Sequence, residues 1–188
     1  VMKSFEDWKR QEVEETFGIE EVETHPLLEK WLEANNEISE SESIRLEELR
    51  ELLIKNVDLW NEAELKMKFL GPLLNLVNYD TKHYRAFMER SFSLRKADDV
   101  ANGTVDFLIA RGRQIPRSPF FCIHEYKSDP SASNDPLGQL LIGLVAIYIE
   151  NQKKNNEIPL YGIYVVGRLF YFVAFDGTSY AKTLRAFD

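Results

Sequence analysis

The spacing of apolar positions divides the chain into a helical first third, a set of period-two segments, one long apolar helix and a second run of strands. "SFEDWKRQEVEETFG" opens on an N-capping serine, carries acids in its first turn and stops at Gly18. "HPLLEKWLEANNEI" has Pro26 near its start and Leu27, Leu28, Trp31 and Leu32 at helical spacing. "SESESIRLEELRELLIKNV" repeats Ile44, Leu46, Leu49, Leu53 and Val57 every three or four residues. In "WNEAELKMKFLGPLLNLVNYD", Leu65, Phe69, Leu73 and Leu76 form one stripe, with Leu70, Leu74 and Val77 beside it. Glu62 extends that stripe, whereas Glu64, Lys68 and Asn75 lie on a polar face. A carboxylate in line with a core-facing stripe either complements the helix dipole or looks into a site.

Beyond residue 84 the period changes to two. "RAFMERSFSLRKA", "GTVDFLIARG" and "QIPRSPFFCIHEYK" read as strands, and "DPSASNDPLG" as a loop. "QLLIGLVAIYIENQKKNN" reads as a helix that is apolar nearly all round and therefore buried. "PLYGIYVVG", "RLFYFVAF" and "TSYAKTLRAF" follow as strands, separated by "GR" and "DGT" turns. This order predicts an α/β (α+β) fold, a sheet with helices packed on it, without internal repeats. Residues 1–58 read as an acidic helical segment and 59–188 as the core.

Composition refines this picture. A hydrophobic content of 44% in 188 residues supports one compact domain, or a domain with a small helical annex. The longest apolar run, "LLIGLVAIYI", is far short of the ~18 residues of a membrane span. The charged "VMKSFEDWKRQEVEE" does not fit a secretory signal, so a cytoplasmic, membrane-free protein is expected. The single Cys122 excludes an internal disulfide and, with three histidines, disfavours a zinc cluster. Net charge is -8, but residues 1–60 hold seven Lys and Arg against seventeen Asp and Glu. The remainder is near neutral at +2, so charge leaves the choice of partner open.

Three charges are out of place in the apolar strands. In "HEYK", Glu125 and Lys127 share the face on which Phe121 and Ile123 precede them. Charges ending a buried row are costly unless paired, or facing a cleft or a metal. Alone, they read as a strand-end ion pair. Asp106, between Val105 and Phe107, changes that reading. A hairpin through "ARGRQIPRSP" would bring Asp106 close to Glu125. Two such carboxylates beside a lysine suit Mg2+, which takes one or two carboxylates plus waters and phosphate oxygens. The lysine can position water and offset charge developing on a phosphate. His124, Tyr126 and Cys122 occupy the other face and read as packing beneath a helix. Arg111, Arg113 and Arg117, like Lys153 and Lys154, read as solvated, and as the available phosphate contacts if DNA binds.

An Asp on one strand, 19 residues before a Glu-x-Lys on the next, then a helix opening on Gly-Gln, resembles the PD-(D/E)XK nuclease superfamily. "TVDF", "HEYK" and "PLGQLL" carry the resemblance, and "NEAELKMKFLGPLL" is similar to the leading helix of its restriction-endonuclease-like members. The resemblance covers roughly residues 60–180. It implies a restriction-endonuclease-like mixed sheet flanked by helices, with an N-terminal helical extension. It also implies hydrolysis of DNA with Mg2+, or Mn2+ as a substitute. The metal would be held by Asp106, Glu125 and the backbone carbonyl of Tyr126, with Glu62 completing the site. Lys127 would orient the attacking water, and Gln139 would be an accessory residue near Lys127. Val105 stands where a proline is frequent, and Gly143 stands where a tyrosine often follows the glutamine. Two alternatives accompany the deoxyribonuclease expectation. One is a silent nuclease-fold module binding nucleic acid or protein; the other is a subunit active only within a restriction or recombination complex. The acidic helices are candidates for a protein partner, and homo-oligomerisation stays open.

Overall fold

A computed structural model of the chain describes residues 2–96, 99–128 and 134–188; the loop expected over residues 129–138 falls outside these as far as residue 133. Eight described strands form one mixed sheet: β1 (Met2–Ser4), β2 (Glu20–Glu21), β3 (Arg85–Lys96), β4 (Asp99–Gly112), β5 (Pro116–Lys127), β6 (Leu160–Val166), β7 (Leu169–Phe175) and β8 (Ser179–Lys182). Strands β4, β5, β6, β7, β8 and β2 are successive neighbours. Both β3 and β1 pair with β4. The chain is thus of mixed α/β class, as its apolar pattern predicts.

The helices are α1 (Arg10–Phe17), α2 (Pro26–Leu32), α3 (Glu40–Asn56), α4 (Glu62–Leu65), α5 (Gly71–Leu74) and α6 (Pro136–Gln152). A π-turn over Lys66–Leu70 joins α4 to α5. Helix α6 connects the parallel pair β5 and β6, and its buried surface includes Leu140, Leu141, Ile142, Leu144 and Ile147. With Phe5, Trp8 and Val13 these side chains fill the larger core on one face of the sheet. On the other face, Leu49 and Leu53 of α3 and Leu65 and Phe69 of the α4–α5 segment pack against Phe107, Tyr126 and Val165. Burying large apolar side chains on both faces is what holds such a layered sheet together, at about 1.5–3 kcal/mol each. Among the described residues no helix is long and apolar enough to cross a membrane.

The acidic leader is woven into this sheet. Strand β1 pairs in parallel with residues 100–102 of β4, and β2 in parallel with β8. Phe5 is buried against Gly103, where a Cβ would lie 2.3 Å from the ring, so only glycine allows this approach. The sequence boundary at residue 58 therefore marks no break in the packing. Strands of two and three residues are too short for periodicity to reveal; their pairing, and not their own pattern, defines them.

One irregularity prepares the site. In β3 the residues of the larger core change parity, from Phe87 to Phe92 and Leu94. In β4 they change likewise, from Ala101 and Val105 to Leu108 and Ala110. The β3–β4 pairing runs from Met88 with Phe107 to Arg90 with Val105. The skipped partners are Glu89 and Asp106, and Glu89 has a φ of 52°. The phase of both strands slips at that one pair. The β4–β5 ladder ends at Phe107 with His124, so its next pair in register would be Asp106 with Glu125.

Candidate active site

The leading helix begins with a capping box: Asn61 accepts the Glu64 amide, and Glu64 accepts the Asn61 amide. Glu62 is thereby fixed in the first turn, and Lys66 follows four residues later in the π-turn. From there the Lys66 ammonium reaches Asp106 at 2.6 Å, Glu62 at 2.8 Å and Glu89 at 3.3 Å. Lys127 lies 3.1 Å from Glu125 and 3.8 Å from Glu62. The other Asp106 carboxylate oxygen accepts the Tyr126 amide at 2.8 Å. That bond ties the strand holding Asp106 to the strand holding Glu125, at the point where their ladder stops.

Four carboxylates and two ammonium groups thus meet at one end of the β4–β5 pair, leaving a formal deficit of two positive charges. Glu125 bears most of the consequence. It is 4% exposed, and burial, then the proximity of Asp106, push its carboxyl up to about 8 against the pull of Lys127. Burial also raises Asp106, although the Lys66 hydrogen bond opposes this. Both lysines are held above their ordinary value: burial works against the charge, but the adjacent carboxylates outweigh it.

Among the described residues no three His, Cys, Asp or Glu side chains are arranged to hold a metal ion. The carboxylates turn towards the two lysines instead. The donor chemistry nevertheless suits a hard divalent cation, with oxygen ligands that outnumber the ammonium groups beside them. Lys66, on a flexible four-carbon stem, is a resident stand-in for part of that charge.

Glu62, Asp106, Glu125 and Lys127, all singled out from the sequence, are brought together. Tyr126 contributes its amide to Asp106, and its backbone is in register with Val165 of β6. Gln139 lies buried in the first turn of α6; its carbonyl oxygen has no partner among the described residues, and no hydrogen bond joins it to Lys127. His124 is a packing residue: its ring stacks on Phe107, bonds the Tyr126 hydroxyl at 2.6 Å and is held neutral by burial, down to about 3. Cys122 is likewise buried, its thiol pushed up to about 12 by desolvation.

Lys66 and Glu89 were not singled out in the sequence. The spacing of Glu62 and Lys66 is that of an i,i+4 ion pair and could have flagged the lysine. For Glu89 the signal is the parity change between Phe87 and Phe92 in "RAFMERSFSL". No protein-family model matches this chain, and no curated protein matches it in sequence.

Proposed function

We propose that the chain is a Mg2+-dependent deoxyribonuclease of PD-(D/E)XK type, with a restriction-endonuclease-like core. The observation that carries the reading is the buried Glu125 beside Asp106, at a site where four carboxyl groups meet only two ammonium groups. Asp106 and Glu125 would hold the cation, helped by the Tyr126 carbonyl, with Glu62 at its margin. When bound, the cation supplies Lewis-acid polarisation of a phosphate oxygen and lowers the pKa of water. Lys127, anchored by Glu125, orients the water whose oxygen forms the new P–O bond. The P–O bond to the departing sugar oxygen breaks, the attacking water gives up its proton to solvent, and the leaving oxygen takes one from solvent. Lys127 and Lys66 offset the charge that grows on the phosphate.

The test is cleavage of duplex DNA with Mg2+ or Mn2+. Asp106→Ala and Lys127→Ala should each lower the rate by at least ~10²–10³, with circular dichroism unchanged. Full activity in either variant would sink the assignment. Lys66 supports a second reading, a silent nuclease-fold module. Its ammonium already satisfies Asp106, as a site without metal would require. That reading expects no metal affinity at Asp106 and Glu125. Gln139 would be an accessory residue in either case.

A further inference from the structure

At the opposite end of the β4–β5 pair lies a cleft of about 820 Å³ between the turn before β3 and the β4–β5 turn. Lys82, Arg85, Arg111, Arg113 and Arg117 line it, against one acid, Asp80. Asp80 is engaged by Arg85 at 3.8 Å; Lys82, Arg111, Arg113 and Arg117 have no ion pair among the described residues. Elsewhere basic side chains are mostly matched with acids, among them Lys3, Arg10, Arg45, Arg50, Lys55, Lys68, Lys153 and Lys182. A concentrated positive cleft on a chain of net charge -8 is a focused attraction for anions.

The backbone makes the concentration sharper. Arg111 and Arg117 are direct cross-strand partners, next to Gly112 with Pro116. Like charges placed opposite each other destabilise a sheet. The turn holds them there: Gly112 has a φ of 118°, and a Cβ on it would lie 2.1 Å from the Ile115 carbonyl oxygen. The fold therefore sustains a repulsion that a bridging anion would relieve.

We infer that this cleft binds the phosphate backbone of duplex DNA and orients it towards Asp106. The inference rests on the nuclease reading and adds to it a surface remote from the reacting atoms. From Asp106 to Arg111 the extended strand covers roughly 17 Å, at about 3.3 Å per residue. Arg111 and Arg117 are positioning residues here, and Arg113 and Lys82 extend the contact.

The experiment is fluorescence anisotropy with a labelled duplex of about two turns, ~20 bp, in EDTA so that no cleavage intervenes. The double variant Arg111→Gln with Arg117→Gln should bind at least tenfold more weakly. Its slope of log K against log salt should fall by about 1.8, that is ~0.9 per phosphate contact. Its thermal midpoint should hold or rise, because the cross-strand repulsion is gone. Arg113→Gln, in the turn and outside the ladder, should reduce the slope by about 0.9 without touching strand pairing. Unchanged affinity and slope in both variants would overturn the cleft while leaving the nuclease reading intact if the parent protein still cleaves. Conversely, duplex binding lost in the variants, with no cleavage by the parent in Mg2+ or Mn2+, would uphold the cleft and remove the nuclease reading. Binding of heparin with no binding of duplex would assign the cleft to another polyanion and overturn the proposal.

Discussion

The two ends of the β4–β5 pair carry opposite electrostatic problems. At the Asp106–Glu125 end, carboxylates outnumber ammonium groups and one of them is nearly inaccessible. At the Arg111–Arg117 end, arginines face each other in the open with no acid between them. Each end alone could be dismissed as an irregularity of a strand terminus. Together they set a cation deficit and an anion deficit along one rigid pair of strands, the arrangement required by a metal ion at one place and a phosphate backbone at another. Burial separates their consequences. The interior end must shift its protonation or recruit a cation, whereas the exposed end is screened by solvent and salt.

The largest effect belongs to the buried end, where Asp106→Ala or Lys127→Ala should lower metal-dependent cleavage by at least ~10²–10³. Next in size is Lys66→Met. Removing the ammonium from three carboxylates should destabilise the metal-free protein by about 1–3 kcal/mol in urea denaturation, since unpaired carboxylates remain partly buried. The same variant should bind Mg2+ several-fold more tightly by calorimetry, because a competing cation is gone. A loss of metal affinity would show Lys66 to be a support and not a competitor.

The pH dependence has a defined sign. The carboxyl of Glu125 is raised in the folded state from 4.5 to about 8. Its contribution to stability is therefore complete below pH 4.5 and is lost as pH rises through 8. In metal-free protein, the thermal midpoint of the parent should fall over this window relative to Glu125→Gln. Saturating Mg2+ should flatten the difference by drawing Glu125 into its ionised form. Parallel profiles for the two proteins would show that Glu125 does not carry the deficit. Smallest of all should be His124→Phe, which loses one buried hydrogen bond to Tyr126, about 1–2 kcal/mol of stability, and leaves the cleavage rate per folded molecule unchanged. A large loss of rate at constant folding would make the imidazole part of the chemistry.

Much of this architecture is legible in the sequence because hydrophobic period and local chemistry agree. The all-round apolar α6, the strands around Asp106 and Glu125, and the inward position of Glu62 each follow from side-chain spacing. What is not legible depends on partners distant in the chain. Strands β1 and β2 exist only through β4 and β8, and the burial of Phe5 needs Gly103 a hundred residues on. The slip at Glu89 leaves a trace in the alternation, but its meaning emerges only when β4 slips at the paired position. Lys66 differs: its i,i+4 spacing from Glu62 is visible in the sequence, but its reach to Asp106 and Glu89 depends on strands packed beside the helix.

The central claim, that Asp106 and Glu125 form a site for a divalent cation, is tested most directly by calorimetric titration of Mg2+ at pH 7 in buffers of different ionisation enthalpy. Binding should be accompanied by proton release, because a carboxyl raised to about 8 must ionise to become a ligand. Proton release should disappear in Glu125→Gln, and binding should weaken sharply in Asp106→Asn. Absence of binding by the parent protein, or binding that is the same in both variants and independent of buffer, would contradict it.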